Sequence, residues 1–292
     1  MRHRWFTFPA LIVLVLGSGI AVGAKCYEPD TRVVVFIQGI YSTLDEEGTQ
    51  TSYAETDRFD ALKASFIARG YTSSDLLDYS FNGGQIARDG GWHPEDYDCE
   101  DTDRPLEGSV DVLEEMLRDY REAHPGVHFT LVGHSLGGSI AFLAGARDAE
   151  RLQEVRLDID VVVTLDAPLL GVSADKKIIT DLVACEKTYA AGAELVAARA
   201  DATTLARRAR QAAAMAEAGI RLGTFGNTND CFYYPALCAG GTWADDRLTQ
   251  FLPGHAAVSM PYAVQSAILE SHDAILTHPA ALAEVVTFVG AP

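Results

Sequence analysis

The stretch LVGHSLGGSIAFLAG (Leu131 to Gly145) places one serine, Ser135, among Gly133, Gly137 and Gly138, between an apolar run and a helix-like run. A Gly-x-Ser-x-Gly sequence between a strand and a helix is typical of a nucleophile elbow, a tight turn that exposes the serine above a sheet. Glycine lets neighbouring backbone approach such a turn closely. The amino end of the following helix favours developing negative charge. The stretch therefore predicts that Ser135 is a nucleophile.

Strand-like and helix-like segments alternate on both sides of this stretch. Continuous β-branched runs predict strands, and apolar residues at helical spacing predict helices. Such alternation indicates a parallel sheet with helices on both faces. Ser109 is the expected N-cap of its helix, and the polar residues 82–105 are expected to form an irregular surface loop. The predicted strands lie within 32–40, 75–81, 127–133, 158–171 and 220–230, and the predicted helices span 57–71, 109–124, 139–152 and 281–289.

The segment LVGHSLGG resembles the nucleophile segment of the α/β-hydrolase superfamily, in particular of its lipases and esterases. The order of strands over most of the chain agrees with this resemblance, although only this segment is highly specific. The resemblance implies an α/β-hydrolase fold with a mostly parallel central sheet and helices on both faces. It also implies a Ser–Asp–His triad in that chain order, an oxyanion hole of two backbone N–H groups, and no metal or organic cofactor.

The general base must activate a serine, which is a weak nucleophile at neutral pH. Three histidines follow the elbow near the C-terminus: His255, His272 and His278. His272 precedes the final helix by a short loop, which is similar to where this family holds its base, so we expect His272 to be the base. His134 is not expected to act as the base, because adjacent side chains on a tight turn point apart.

Two aspartates compete for the acid of the triad. Asp230 lies in GNTNDCFYYP after a predicted late strand, which looks like the acid-bearing loop of several lipase groups. Asp166 lies in VVTLDAPLLG, directly after the strand that follows the nucleophile, where some lipases place their acid. The same segment also resembles a structural turn of lipases. We therefore expect Asp230 to be the acid and keep Asp166 as the alternative.

The oxyanion hole requires two backbone donors. The resemblance assigns one to the residue after the nucleophile, Leu136, and the other to the loop after the first central strand. That loop reads Gln38-Gly39-Ile40 where many lipases have histidine before the glycine. The second donor is then the N–H of Ile40, which does not depend on the side chain of Gln38.

The segment 172–220 interrupts the alternation, since it is rich in alanine and arginine and is longer than an ordinary crossover helix. We predict an inserted helical cap there, with two plain surface helices as the alternative. Because neither an internal repeat nor a linker is evident, residues 25–292 are expected to form a single domain.

The N-terminus predicts export. Residues 1–24 combine a basic start, an apolar run and small residues that end at Ala24, as in a secretory signal peptide. We expect a secreted or extracytoplasmic protein, with an N-terminal membrane anchor as the alternative. In an exported protein the cysteines are disulfide candidates, and an odd number leaves at least one unpaired. The five are Cys26, Cys99, Cys185, Cys231 and Cys238, at no spacing that suggests zinc.

The net charge limits the classes of molecule that this protein is expected to bind. The formal net charge of −18 argues against binding to nucleic acid, whose phosphates it would repel. The acidic run from Asp96 to Arg104 is expected to be a solvated loop. We predict a monomer that hydrolyses lipid esters of the acylglycerol type, with a lipid–water interface as a candidate place of action. The alternatives are a carboxylesterase for soluble short-chain esters and a deacylase of a lipid-linked molecule, with a non-catalytic binding protein least favoured.

Overall fold

The computed structural model describes residues 31–40, 42–44, 50–51, 59–172, 190–227, 257–260 and 272–292. These contain the strands β1 (Arg32–Ile37), β2 (Thr43–Leu44), β3 (Gln50–Thr51), β4 (Leu76–Asp78), β5 (Gly84–Ile86), β6 (Trp92–Pro94), β7 (His128–His134), β8 (Ile159–Leu165), β9 (Arg221–Asn227) and β10 (Ala257–Met260). The α-helices are α1 (Asp60–Ile67), α2 (Leu106–Ala123), α3 (Leu136–Glu150), α4 (Ala190–Ala200), α5 (Thr204–Glu217) and α6 (Pro279–Val289).

Six of the strands form one sheet in the order β10-β9-β8-β7-β1-β4, and every neighbouring pair in it is parallel. The central strands β1, β7 and β8 are almost wholly buried. Continuous apolar runs of this kind are expected where helices cover both faces of a parallel sheet. The elbow follows β7, so Ser135 emerges at the carboxyl edge of the middle of the sheet.

Alternate residues of β1 separate the two faces, as the pleat of a strand requires. Val33, Val35 and Ile37 pack in a core with α2, α3 and α5. Val34 and Phe36 pack in a second core with α1 and α6. Helices therefore lie on both faces of a mostly parallel sheet, and the predicted fold class is confirmed.

Three local features differ from the sequence-based expectation. Residues 82–105 contain the antiparallel hairpin of β5 and β6 rather than only irregular loop. Helix α2 begins at Leu106 after Pro105, so Ser109 is not its N-cap. Ser109 is buried inside the helix, where its backbone carbonyl accepts a hydrogen bond from the Tyr79 hydroxyl at 3.0 Å. Strand β10, at the edge of the sheet, was not predicted.

Helix α5 lies in the segment 172–220, where an inserted helical cap was predicted. It packs against α3 and β9, and its buried Met215 belongs to the same core as α3. Its Arg208 is also buried: Nε donates to the Leu169 carbonyl at 3.0 Å, and the guanidinium lies over the Phe142 ring. Burial lowers the pKa of Arg208 to about 10. Since α5 lies between β8 and β9 in the chain and packs along the face of the sheet, it has the position of a crossover helix, and the cap stays a prediction.

Helix α4 lies beside the start of α2. The backbone N–H of Leu106 donates to Glu194 Oε2 at 3.1 Å, and the N–H of Val172 donates to the Leu195 carbonyl at 3.1 Å. The rest of the predicted insertion, 173–189, lies outside the described residues, as does the predicted signal peptide 1–24. Within the described ranges, no helix has the length and apolar character needed to cross a membrane.

Candidate active site

Ser135 has the backbone geometry that a nucleophile elbow requires. It lies between β7 and α3 with φ 55° and ψ −123°, a conformation that non-glycine residues rarely adopt. Its N–H donates to the Leu165 carbonyl at 2.9 Å, and its own carbonyl accepts from the Gly138 N–H at 3.1 Å. These bonds hold the strained turn from both sides. The role of Ser135 as nucleophile stays a prediction.

The glycines of the elbow are explained by backbone contacts. A Cβ on Gly137 would collide with the carbonyl oxygens of Ile37 and Gln38, at the end of β1. A Cβ on Gly133 would collide with the carbonyl of Gly137. The first turn of α3 can therefore lie directly against the loop that follows β1.

The predicted oxyanion loop lies beside the predicted nucleophile. A Cβ placed on Gly39 would be 2.8 Å from Ser135 Cβ and 3.3 Å from Ser135 Oγ. Ile40 follows in this loop and is buried, and Leu136 is the first residue of α3. The first N–H groups of a helix have no partner within it, so the Leu136 N–H is of the kind that can bind an oxyanion. The structure thus brings Ser135, Leu136 and the Gly39–Ile40 peptide together.

Two residues that the sequence did not single out hold this loop. The Ser42 hydroxyl donates to the Gly39 carbonyl at 2.8 Å and lies 2.9 Å from the Tyr97 hydroxyl. Both side chains are buried. Tyr97 comes from the acidic run that follows the β5–β6 hairpin, so no local pattern could have linked it to the loop after β1.

His272 is buried close to the elbow. Its ring centroid lies 4.7 Å from that of His134, and the His134 Nε2 donates to the His272 carbonyl at 3.2 Å. Asp273 Oδ1 lies 4.0 Å from the same nitrogen of His134. The chain therefore brings the predicted base to the residue that precedes the predicted nucleophile.

The other two candidates for the base are His278 and His255. His278 is the N-cap residue of α6, where its carbonyl accepts from the Leu282 N–H at 3.0 Å, and it lies only partly buried. This hydrogen bond joins the backbone of His278 to the first turn of α6. His255 lies outside the described residues.

Of the two candidate acids, Asp166 lies within the described residues. Asp166 is fully buried directly after β8, with φ 44°, and its N–H donates to the Phe225 carbonyl at 2.9 Å. It directly follows Leu165, whose carbonyl accepts from the Ser135 N–H, so the backbone of Asp166 lies near the elbow in space. Asp230 lies outside the described residues, and its assignment as acid stays a prediction.

The five disulfide candidates include one residue that the structure describes. Cys99 is disulfide-bonded, and the other four cysteines lie outside the described residues. Among the side chains that the structure describes, no group of three histidines, cysteines or carboxylates is arranged to hold a metal ion.

Residues 105–189 match the family model of the class 3 lipases, a segment that contains α2, β7, the elbow, α3 and β8. No curated protein sequence matches the chain.

Solved structures of other proteins are similar to this chain in fold. A lipase-esterase related protein from Clostridium acetobutylicum aligns with a TM-score of 0.52 at 8% identity, over 88% of this chain and 94% of its own. Phospholipase PlaB from Legionella pneumophila, in complex with thio-NAD, aligns with a TM-score of 0.52 at 11% identity, over 88% of this chain and 58% of its own. At these identities the likeness concerns the fold, and it confirms the α/β-hydrolase architecture. The match of residues 105–189 to the class 3 lipase model confirms the predicted resemblance to lipases and esterases and, with it, the prediction of an ester hydrolase.

Proposed function

We propose that this chain, an ester hydrolase of the lipase and esterase type, cleaves carboxylic esters with Ser135 as nucleophile, His272 as general base and Asp230 as the acid. The observation that carries the proposal is the set of residues packed around Ser135. Its strained turn lies against Gly39 on one side, and the adjoining His134 contacts His272 on the other. Nucleophile, oxyanion loop and base segment therefore meet at one edge of the sheet.

Acylation begins when Ser135 Oγ attacks the carbonyl carbon of the ester while His272 takes the hydroxyl proton. The carbonyl oxygen becomes an oxyanion, which the N–H groups of Leu136 and Ile40 stabilise by hydrogen bonds. The tetrahedral intermediate then breaks the carbon–oxygen bond to the leaving group. His272 returns its proton to that alcohol, and an acyl-enzyme on Ser135 remains.

Deacylation repeats these steps with water. Water loses a proton to His272 and attacks the acyl carbon, and the second oxyanion occupies the same two donors. Collapse of this intermediate releases the carboxylic acid and returns the proton to Ser135. Asp230 is assigned the support of the His272 imidazolium that forms in each half-reaction. Asp166 is the alternative for this role because it directly follows the strand that holds the elbow.

The substrate is proposed to be a lipid ester of the acylglycerol type. The match of the elbow segment to the class 3 lipases supports this choice. One observation favours a second candidate, a carboxylesterase for soluble short-chain esters. Helix α5 packs against α3 and β9, and this packing supports an enzyme whose activity does not depend on interfacial activation. A deacylase of a lipid-linked molecule is the remaining alternative.

The compartment in which the enzyme acts is proposed from the N-terminal sequence and from one disulfide bond. The signal-like residues 1–24 and the disulfide of Cys99 both favour an exported, extracytoplasmic enzyme. We propose that it acts as a monomer on an ester substrate.

Hydrolysis of p-nitrophenyl esters with acyl chains of increasing length, below and above the solubility limit of each ester, tests the proposal. Lipid specificity predicts that activity rises for long chains once an interface forms. Preference for short chains without such a rise supports the carboxylesterase instead. Absence of hydrolysis with every ester contradicts both and favours the narrow deacylase.

Variants test the assigned residues. Ser135→Ala and His272→Ala should each lower kcat by several orders of magnitude, since such residues act as a unit. His278→Ala serves as the matched control for the base, because His278 takes part in the start of α6 through its backbone carbonyl, which the substitution keeps. Asp230→Asn and Asp166→Asn decide the acid, since the larger fall in kcat identifies it. A Ser135→Ala variant that keeps its activity would overturn the mechanism.

A further inference from the structure

A chain of buried hydroxyl groups ends on the oxyanion loop. Ser42 Oγ lies 2.8 Å from the Gly39 carbonyl oxygen and 2.9 Å from the Tyr97 hydroxyl oxygen. A side-chain hydroxyl has one hydrogen to donate. Because the Gly39 carbonyl can only accept, Ser42 donates to Gly39, and Tyr97 must donate to Ser42. The direction of the chain is therefore from Tyr97 through Ser42 to Gly39.

The far end of this chain is firmly anchored. The backbone of Tyr97 pairs with that of Leu44, with N–H to carbonyl distances of 2.9 and 3.2 Å in the two directions. The Tyr97 ring packs edge-on against Phe81 at a centroid distance of 5.2 Å. The Tyr97 hydroxyl therefore approaches Ser42 from a fixed position in the core rather than from solvent.

The near end of the chain acts on one peptide unit. The Gly39 carbonyl and the Ile40 N–H belong to the same peptide group, which is planar and points them in opposite directions. Fixing the direction of the carbonyl therefore fixes the direction of the N–H. Gly39 lies against Ser135, so the rotation of this peptide decides whether the Ile40 N–H points at an oxyanion formed on Ser135. A peptide without this anchor can rotate away from that direction.

We propose that Ser42 and Tyr97 are positioning residues that orient the Gly39–Ile40 peptide, so that the Ile40 N–H is preorganised as an oxyanion donor. The proposal rests on the proposed function, because it assigns Ile40 as a donor for the oxyanion on Ser135. Preorganised donors lower the energy of the transition state more than that of the bound substrate. The two hydroxyls should therefore affect kcat and leave KM nearly unchanged.

The experiment compares Ser42→Ala and Tyr97→Phe with the wild type on p-nitrophenyl butyrate. Loss of a whole oxyanion donor lowers kcat about 100- to 1,000-fold, and a donor that is only misdirected should lower it by about 10- to 100-fold in Ser42→Ala. Tyr97→Phe keeps the packed ring and removes only the hydroxyl, so its smaller fall in kcat should have the same sign. Inhibition by butylboronic acid, whose tetrahedral adduct on serine places an oxygen in the same hole, should weaken in parallel with kcat.

Ser65→Ala is the matched control. Its hydroxyl donates to the Ala61 carbonyl at 2.8 Å, the same kind of bond at the same length, on α1 away from the elbow. Its kcat and boronate affinity should equal those of the wild type. Thermal unfolding of each variant identifies a loss that comes from misfolding, and Tyr97→Phe keeps the test open if Ser42→Ala does not fold.

The outcomes separate the two proposals. If Ser135→Ala is inactive while folded Ser42→Ala and Tyr97→Phe match Ser65→Ala in kcat and boronate affinity, the positioning role is overturned and the triad stands. A rise in KM at constant kcat also overturns it, since that result assigns the hydroxyls to substrate binding. If Ser135→Ala keeps its activity, the proposed function itself fails.

Discussion

The imidazole rings of His134 and His272 lie 4.7 Å apart, and the His134 Nε2–H donates to the backbone carbonyl of His272 at 3.2 Å. His134 is the last residue of β7 and is fully buried, whereas His272 comes from the C-terminal part of the chain. The bond makes Nε2 the protonated nitrogen of His134. The residue before the predicted nucleophile therefore holds the backbone of the predicted base.

His134→Phe should lower kcat about fivefold, because one hydrogen bond is worth about 1 kcal/mol and a factor of ten in rate corresponds to about 1.4 kcal/mol. Phenylalanine keeps a ring in this buried site and removes the donor to His272. Steady-state kinetics on a p-nitrophenyl ester should show the loss in kcat with KM nearly unchanged. Labelling of Ser135 by a fluorophosphonate should slow by a similar factor.

His124→Phe is the control for that change. His124 is also buried, and its Nδ1 lies 3.0 Å from the Tyr120 carbonyl at the end of α2. The same substitution there removes the same kind of bond away from the elbow, so kcat should stay at the wild-type value. Equal effects of the two variants on kcat would mean that His134 has only a structural role.

Gly39→Ala should lower kcat about 100-fold or more, since a displacement near 1 Å in an active site costs about that much. The new methyl group would lie 2.8 Å from Ser135 Cβ and 3.3 Å from its Oγ, so the loop or the serine must shift. Gly108→Ala is the matched control, because a Cβ there has no neighbour within 4 Å on α2. It should keep full activity and raise the free energy of unfolding by about 0.5–1 kcal/mol. Normal turnover by Gly39→Ala would contradict the close contact of loop and nucleophile.

The central strands and the elbow could be predicted from the sequence because their signals are local. A continuous β-branched run such as that of β1 is sufficient to indicate a strand buried on both faces, and a glycine pattern marks the turn at Ser135. Strand β10 could not be predicted, since four residues at the edge of a sheet carry little pattern of their own. The packing of helix α5 could not be predicted either, because its sequence shows a helix but not its partner, and its Met215 packs in the same core as α3.

The residues of the candidate site also differ in whether a local sequence pattern could predict them. Ser135 and Leu136 follow from one motif, and His272 follows from its place before the last helix. Ser42 and Tyr97 could not be found in this way, because their bond joins the loop after β1 to residues beyond the β5–β6 hairpin. A hydroxyl gains such a role only when folding brings its acceptor to it, so the residues that hold an oxyanion loop require the structure.

Cys99→Ser should lower the free energy of unfolding by about 2–4 kcal/mol, the typical contribution of a native disulfide. Cys99 is disulfide-bonded and lies two residues after Tyr97 in the loop that contacts Ser42. Denaturant unfolding of the wild type with and without dithiothreitol measures the same loss independently. A wild type whose midpoint is unchanged by reductant would show that this disulfide does not stabilise the fold.

Glu114 should make stability depend on pH in a defined direction. It is buried between α2 and α3, where its carboxylate pairs with Arg151. Burial is the main cause that raises the pKa of Glu114, and hydrogen bonding to Arg151 opposes it. Because the pKa is higher in the folded state, that state keeps the proton over a pH range in which the unfolded chain has lost it. The contribution of this proton is thus complete below the unfolded-state pKa and is lost as pH rises through the folded-state pKa.

Glu114→Gln isolates this effect, since glutamine does not titrate. The free energy of unfolding of the wild type minus that of Glu114→Gln should be most positive at low pH and fall as the pH rises above the usual range of a glutamate. Urea unfolding at several pH values from about 4 upward, the region where glutamates titrate, measures this difference. Glu115→Gln, on the exposed face of the same helix, controls for the loss of one negative charge. A difference that rises with pH would mean that the bond to Arg151 outweighs burial, and that the pKa of Glu114 is lowered by folding.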